Sequence, residues 1–145
     1  MAENARRIDA SPERVFQVLA DGWLYPSWVV GASRIRGVDD SWPAPGAQLQ
    51  HSVGVWPALL NDKTVMLEWD PPRRAVLRAH GWPIGEAQVT IEVKPAGSKS
   101  VVRIFEDAVE GPGRLVPSII RQSGLHLRNR ETLRRLAYLV EGGAA

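Results

Sequence analysis

Apolar and polar residues follow two different periods along the chain, and the changes of period divide it into three stretches. Near the beginning, Ser11-Pro12-Glu13 reads as a helix start. Ser11 is placed to cap free amides, Pro12 suits the first helical position, and Glu13 sits near the positive end of the helix dipole. Val15, Val18 and Leu19 then share a face until Asp21-Gly22 stops the helix. The run Trp23-Leu24-Tyr25-Pro26-Ser27-Trp28 has room for one more short turn before Gly31. Over residues 32–109 the period is two, broken at 39–46, 57–62, 70–72, 82–85 and 95–97, which predicts six strands in a meander. The cleanest is 86–94, where Ala87, Val89, Ile91 and Val93 face one way and Glu86, Gln88, Thr90, Glu92 and Lys94 the other. One face of the sheet is therefore wet.

Residues 118–141 contain no proline after Pro117 and return to a helical period, giving a rod of about 36 Å. Gly142-Gly143 ends it. Arg121, Arg128 and Arg135 recur every seven residues and read as a solvated row, with Glu131 four residues before Arg135 in a favourable pairing. The opposite stripe holds Leu133, Leu136 and Val140, so this helix must lie apolar side down on the sheet. No repeat, low-complexity tract or linker divides the chain, and 1–145 reads as one domain.

The informative positions are polar residues that the periodicity sends inward, because an unpaired buried polar group costs a few kcal/mol and needs a partner, a water or a ligand. Gln122, His126 and Asn129 share the helix stripe of Leu133, Leu136 and Val140. His51 belongs with Leu49, Val53 and Val55. Glu106 follows Val102 and Ile104, although Val101 and Phe105 make the other face of that strand nearly as apolar, and Arg78 has no decided face. Two readings compete. Each residue is satisfied separately by backbone or buried water, or by a register one residue off; or sheet and helix enclose a partly polar hollow that explains all of them together.

Composition narrows the options. At 145 residues with 44% hydrophobic content, one core burying roughly 70% of the unfolded surface is expected without any staple. The absence of cysteine excludes zinc fingers, thiol nucleophiles and redox motifs. Eighteen basic against sixteen acidic side chains give a net charge of +2, which lends nucleic-acid binding little support. Neither an apolar run of 18 residues nor a stretch of signal-peptide character is present, so a cytoplasmic protein without integral membrane association is expected. His51, His80 and His126 form no helical i, i+4 pair, so neither metal nor cofactor is expected. Gly111-Pro112-Gly113 precedes no lysine and is no phosphate loop. The six tryptophans fall in the short helices (Trp23, Trp28), the first sheet loop (Trp42) and at strand ends (Trp56, Trp69, Trp82). They either rim a pocket mouth or cap the core.

The order of short helices, six strands and a long amphipathic C-terminal helix resembles the helix-grip fold of the SRPBCC superfamily. That superfamily includes the birch-pollen-allergen proteins, the lipid-transfer START domains and the bacterial polyketide cyclase/dehydrase group. The residues carrying the likeness are Ile8-Asp9-Ala10-Ser11-Pro12-Glu13-Arg14-Val15-Phe16, Trp28, and Asn129-Arg130-Glu131-Thr132-Leu133-Arg134-Arg135-Leu136. The resemblance implies an α+β fold with a further strand around 4–8. Seven antiparallel strands would then curve around the long helix, with two short helices after the first strand and a pocket between helix and sheet. Members hold steroids, lipids, hormones or polyketides there. A minority catalyse aldol cyclisation and dehydration with arginine, tyrosine, serine or histidine side chains in the pocket. Here Tyr25 and Tyr138 are the only tyrosines and neither takes a clear inward strand position, a departure that weighs against cyclase chemistry.

Three functions follow. The first is binding of a small hydrophobic molecule, lipid, polyketide or similar, with Trp28, His51, Trp56, Arg78, Trp82, Glu106, Gln122, His126 and Asn129 as ligand contacts. The second is a cyclase or dehydratase using His51 or His126 with Glu106, for which a His nitrogen bonded to Glu106 and open to the cavity is the deciding geometry. The third is a protein-interaction module built on an exposed Trp42, with a weak homodimer left open.

Overall fold

The computed structural model describes residues 2–30, 32–53, 60–81, 85–110 and 118–142, with side chains over a slightly narrower set. The order is β1 (Ala2–Ile8), α1 (Pro12–Ala20), a 3-10 turn (Gly22–Leu24), α2 (Tyr25–Trp28), β2 (Ala32–Val38), β3 (Gln48–Val53), β4 (Leu60–Asp70), β5 (Arg74–Gly81), β6 (Gly85–Ala96), β7 (Lys99–Glu110) and α3 (Ser118–Glu141). The strands form one antiparallel sheet in the order β1-β7-β6-β5-β4-β3-β2, with β1 and β2 at its edges. Register shifts in the β2–β3, β4–β5 and β6–β7 ladders bend the strands, as bulges do. α3 lies against β1 and β7, and α2 touches α3.

Local chemistry explains the start. Ser11 is extended and its Oγ accepts from the Arg14 amide at 3.3 Å, with Pro12 in the first helical turn. Asp21 then serves two elements. Its amide closes α1 on the Val18 carbonyl, and its carboxylate accepts from the Trp23 amide at 3.1 Å to open the 3-10 turn. Two breaks differ from the sequence reading. β4 already includes Asn61 and Asp62, because the β3 ladder pairs them with Ser52 and His51. β6 runs through Pro95 to Ala96, and the chain reverses at Gly97, whose φ of 67° suits glycine.

Ile8, Val15, Val18, Leu49, Ile104 and Leu136 lie at the centre of the core, and Leu133 and Val140 join them from α3 as the stripe requires. Polar contacts set the helix along the sheet: the Asn4 amide donates to the His126 carbonyl at 3.2 Å, and the Asp9 amide donates to Glu141 at 2.8 Å. On the solvent side Glu131 accepts from Arg134 and Arg135 at 3.0 and 3.1 Å. Among the described residues, no helix is long and apolar enough to cross a membrane.

Gly22 is the tightest packing point of the α1–α2 connection. A Cβ there would stand 2.6 Å from Cδ2 of the fully buried Leu49 and 3.0 Å from Val38. Gly22→Ala is therefore expected to destabilise the fold by about 1–3 kcal/mol, the usual range for overpacking. Urea denaturation reads this directly, and an unchanged midpoint would show that the Leu49 side chain yields freely.

Candidate functional site

The concave face of the sheet is built by strand alternation. On β7, Ser100, Val102, Ile104 and Glu106 turn toward the helices and are all buried, and on β6 the buried Ile91 and Val93 keep the same face, with Val89 partly buried there. α2 brings Tyr25 and Trp28 over this surface, and α3 brings Arg128, Asn129 and Thr132. Between them lies a cavity of about 20 Å³, lined by Leu77, Val89, Ile91, Ile104 and Glu106 from the sheet and by Tyr25, Trp28, Arg128, Asn129 and Thr132 from the helices. A second space of about 10 Å³ lies among Trp28, Trp42 and Trp69. Each is on the scale of one water molecule.

Glu106 is 1% exposed, so its carboxylate needs a cation. Arg128 supplies it. Its Nη1 donates to Glu106 Oε2 at 2.9 Å and its Nε donates to the Val30 carbonyl at 3.0 Å, leaving the side chain 27% exposed. This corrects the reading of Arg121, Arg128 and Arg135 as one solvated row. Arg128 lies one turn before Thr132, whose hydroxyl accepts from the Val30 amide at 3.3 Å, and both occupy the flank of α3 that faces α2. Arg135 does face solvent.

Opposite this pair, one threonine hydroxyl joins two rings. Tyr25 Oη and Thr64 Oγ1 are 3.0 Å apart, and His51 Nε2 and Thr64 Oγ1 are 2.8 Å apart. The Tyr25 and His51 rings lie 5.5 Å apart at 30°, and Trp28 meets Tyr25 edge-on. Tyr25 thus reaches the cavity from a helix and not from a strand, while Tyr138 is exposed. Burial raises the Tyr25 phenol above its ordinary 10.0, while its hydrogen bond to Thr64 opposes the rise. Burial likewise lowers the His51 imidazole below 6.5, partly offset by the Asp62 carboxylate. Among the described residues, no hydrogen bond joins a histidine to Glu106: His51 is bonded to Thr64, and Glu106 to Arg128. The His–carboxylate pair expected for an enzyme is not formed.

Two residues lining the cavity each carry a buried nitrogen with no hydrogen-bond partner, Trp28 Nε1 and Asn129 Nδ2. An orphaned buried donor typically costs about 1–3 kcal/mol.

The other expected contacts fall elsewhere. His126 is exposed, although it shares the stripe of Leu133, because that end of α3 passes over the edge strand β1, where Asn4 holds the His126 carbonyl. Arg78 alternates with the cavity residue Leu77 and lies on the outer face with His80 and Glu86, its Nη1 3.5 Å from Glu86. Trp42 packs against the core and is partly buried. Trp56, Trp82 and the Gln122 side chain lie outside the described residues. Among the described residues, no group of three His, Asp or Glu is placed to hold a metal ion. The sequence reading passed over Tyr25, Thr64 and Arg128; of these only Thr64 left a signal, its strand parity with the inward Met66.

The displaced imidazole has a consequence for stability. Below pH 6.5 the unfolded chain takes a proton on His51 before the folded chain does, so stability is lost as pH falls below 6.5 and is unaffected by this group above it. Between pH 7 and 5, wild type is expected to lose more stability than His51→Gln, measured as the difference between their denaturation free energies. Parallel pH profiles would contradict this.

No curated protein matches the sequence significantly. Solved structures do match in fold. Protein NE0264 from Nitrosomonas europaea has 18% identity and a TM-score of 0.74, covering 97% of this chain and 94% of that one. Ara h 8.0201 has 11% identity and a TM-score of 0.74, covering 97% and 96%. The di-domain ARO/CYC StfQ from the steffimycin biosynthetic pathway has 12% identity and a TM-score of 0.72, covering 98% of this chain but 50% of StfQ. Residues 2–141 match the family described as polyketide cyclase / dehydrase and lipid transport. With that match over almost the whole sequence and the helix-grip fold around α3, the chain belongs to this family of the SRPBCC superfamily.

Proposed function

We propose that this chain binds a small, largely apolar molecule between the sheet and α3. The observation that carries the reading is the cavity itself: apolar residues of β5, β6 and β7 line it together with buried unpartnered N–H groups and a neutralised ion pair. Ligand sites combine an apolar lining with a few oriented polar groups in this way. Drug-sized ligands occupy about 300–1,000 Å³, so binding requires the cavity of about 20 Å³ to open. The wall most easily displaced is the contact between α3 and the residues after α2, where Arg128 and Thr132 both bond to the backbone of Val30. The family description and the fold shared with Ara h 8.0201 support the reading.

The test uses N-phenyl-1-naphthylamine, a neutral dye whose emission rises on burial. Wild type is expected to bind it, with energy transfer from its tryptophans, and Val89→Phe, which fills the floor without removing a side-chain hydrogen bond, should weaken binding at least tenfold while leaving the far-UV spectrum unchanged. Absence of binding by wild type, or binding indifferent to Val89→Phe, would sink the proposal.

A second reading, a cyclase or dehydratase on a polyketide-like substrate, is favoured by one observation: Tyr25 lines the cavity and shares Thr64 with His51. A hydroxyl that both donates and accepts lets a proton shift along such a chain. A site that removes protons beside a carbonyl should speed deuterium exchange into the methyl group of 2-acetylnaphthalene, and Tyr25→Phe should abolish the acceleration. Exchange at the buffer rate removes this reading and leaves the first in place.

A further inference from the structure

We infer that the ligand is held through an acceptor oxygen placed between the Trp28 indole N–H and the Asn129 amide N–H. The inference rests on the ligand-binding reading and specifies its chemistry. Among the described residues lining the cavity, the buried polar atoms lacking a partner are these two, and both are donors. They belong to residues 4% and 1% exposed, on different helices, so neither relaxes toward solvent.

Most other polar groups at the cavity already have partners. Glu106 Oε2 accepts from Arg128, Arg128 also donates to Val30, Thr132 accepts from the Val30 amide, and Tyr25 is bonded to Thr64. The buried atoms left without a partner at the cavity are therefore both donors. They suit a carbonyl, ester or phenolic oxygen on an apolar body, and a bare hydrocarbon leaves both unpaired. The nearby Arg128 guanidinium further disfavours a cationic group. A site whose buried donors are left unpaired by the wrong ligand discriminates against that ligand more strongly than an apolar wall discriminates by shape.

The matched probes are 2-acetylnaphthalene and 2-isopropenylnaphthalene, which differ by exchange of the carbonyl oxygen for a methylene of similar shape. Wild type should bind the ketone at least ten times more tightly, by competition against N-phenyl-1-naphthylamine. The ratio should fall toward one in Trp28→Phe and in Asn129→Leu, and because each variant is its own reference for pocket shape, the ratio reads the donors alone. If wild type binds both probes equally, the inference is overturned and the ligand-binding reading survives. If wild type binds neither probe nor the dye, both fall. The wild-type ratio decides the matter even where a variant fails to fold.

Discussion

The carboxylate of Glu106 sets the terms on which this sheet can be closed. Val102 and Ile104 must face the helices, and the alternation of β7 carries Glu106 to the same side, where it is almost wholly removed from water. An isolated buried carboxylate is too costly to keep, so α3 has to deliver a cation to that point. Arg128 does so, and its orientation settles the rest of the helix. Asn129, 100° further round, turns over the sheet, Thr132 meets the Val30 amide one turn later, and Leu133, Leu136 and Val140 go down into the core. Ion pairs of this kind add little net stability compared with apolar replacements. What this one does is fix the rotation of α3, and with it the side chains that reach the cavity.

The other polar cluster acts on charge. Burial keeps the Tyr25 phenol protonated well past neutrality and keeps His51 uncharged at neutral pH, with Thr64 between them. The charges left beside the cavity, on Glu106 and Arg128, compensate one another. A lining in which the charges cancel is therefore enclosed by the sheet, α2 and α3. Among the described residues, α3 and the end of α2 are joined by hydrogen bonds at Val30: its carbonyl accepts from Arg128 and its amide donates to Thr132. Moving β7 away from β6 would break a ladder of eleven residue pairs.

Strand period made the fold and part of the site readable in advance. Glu106, His51 and Asn129 stand out because a period of 2 or 3.6 assigns each to a face with buried neighbours. The same rule misplaces His126, since periodicity gives a direction and says nothing of whether an opposing surface lies there; α3 has already reached the edge strand at that point. It leaves Arg78 open because Val76 and Leu77 are both buried, on opposite faces. Arg128 was hidden by its own length. A guanidinium on a long flexible stem turns back from the flank of a helix, so a seven-residue spacing of arginines does not establish a solvated face. Tyr25 was hidden because α2 has four residues and offers no period to read.

The likeness to NE0264, Ara h 8.0201 and StfQ at 11–18% identity shows how little of the sequence the helix grip requires. Function on such a frame is decided by the side chains the frame presents. The apolar floor of Leu77, Val89 and Ile104 attracts any hydrophobic body in proportion to the area it covers, about 25 cal/mol per Å², and carries no preference for one skeleton over another. Preference has to come from directional groups, and in the binding reading proposed above those groups sit on α2 and α3. That reading divides affinity and selectivity between elements: the sheet supplies an apolar surface, while the helices supply the donors. A ligand that leaves the donors unpaired would gain the floor without the hydrogen bonds of Trp28 and Asn129.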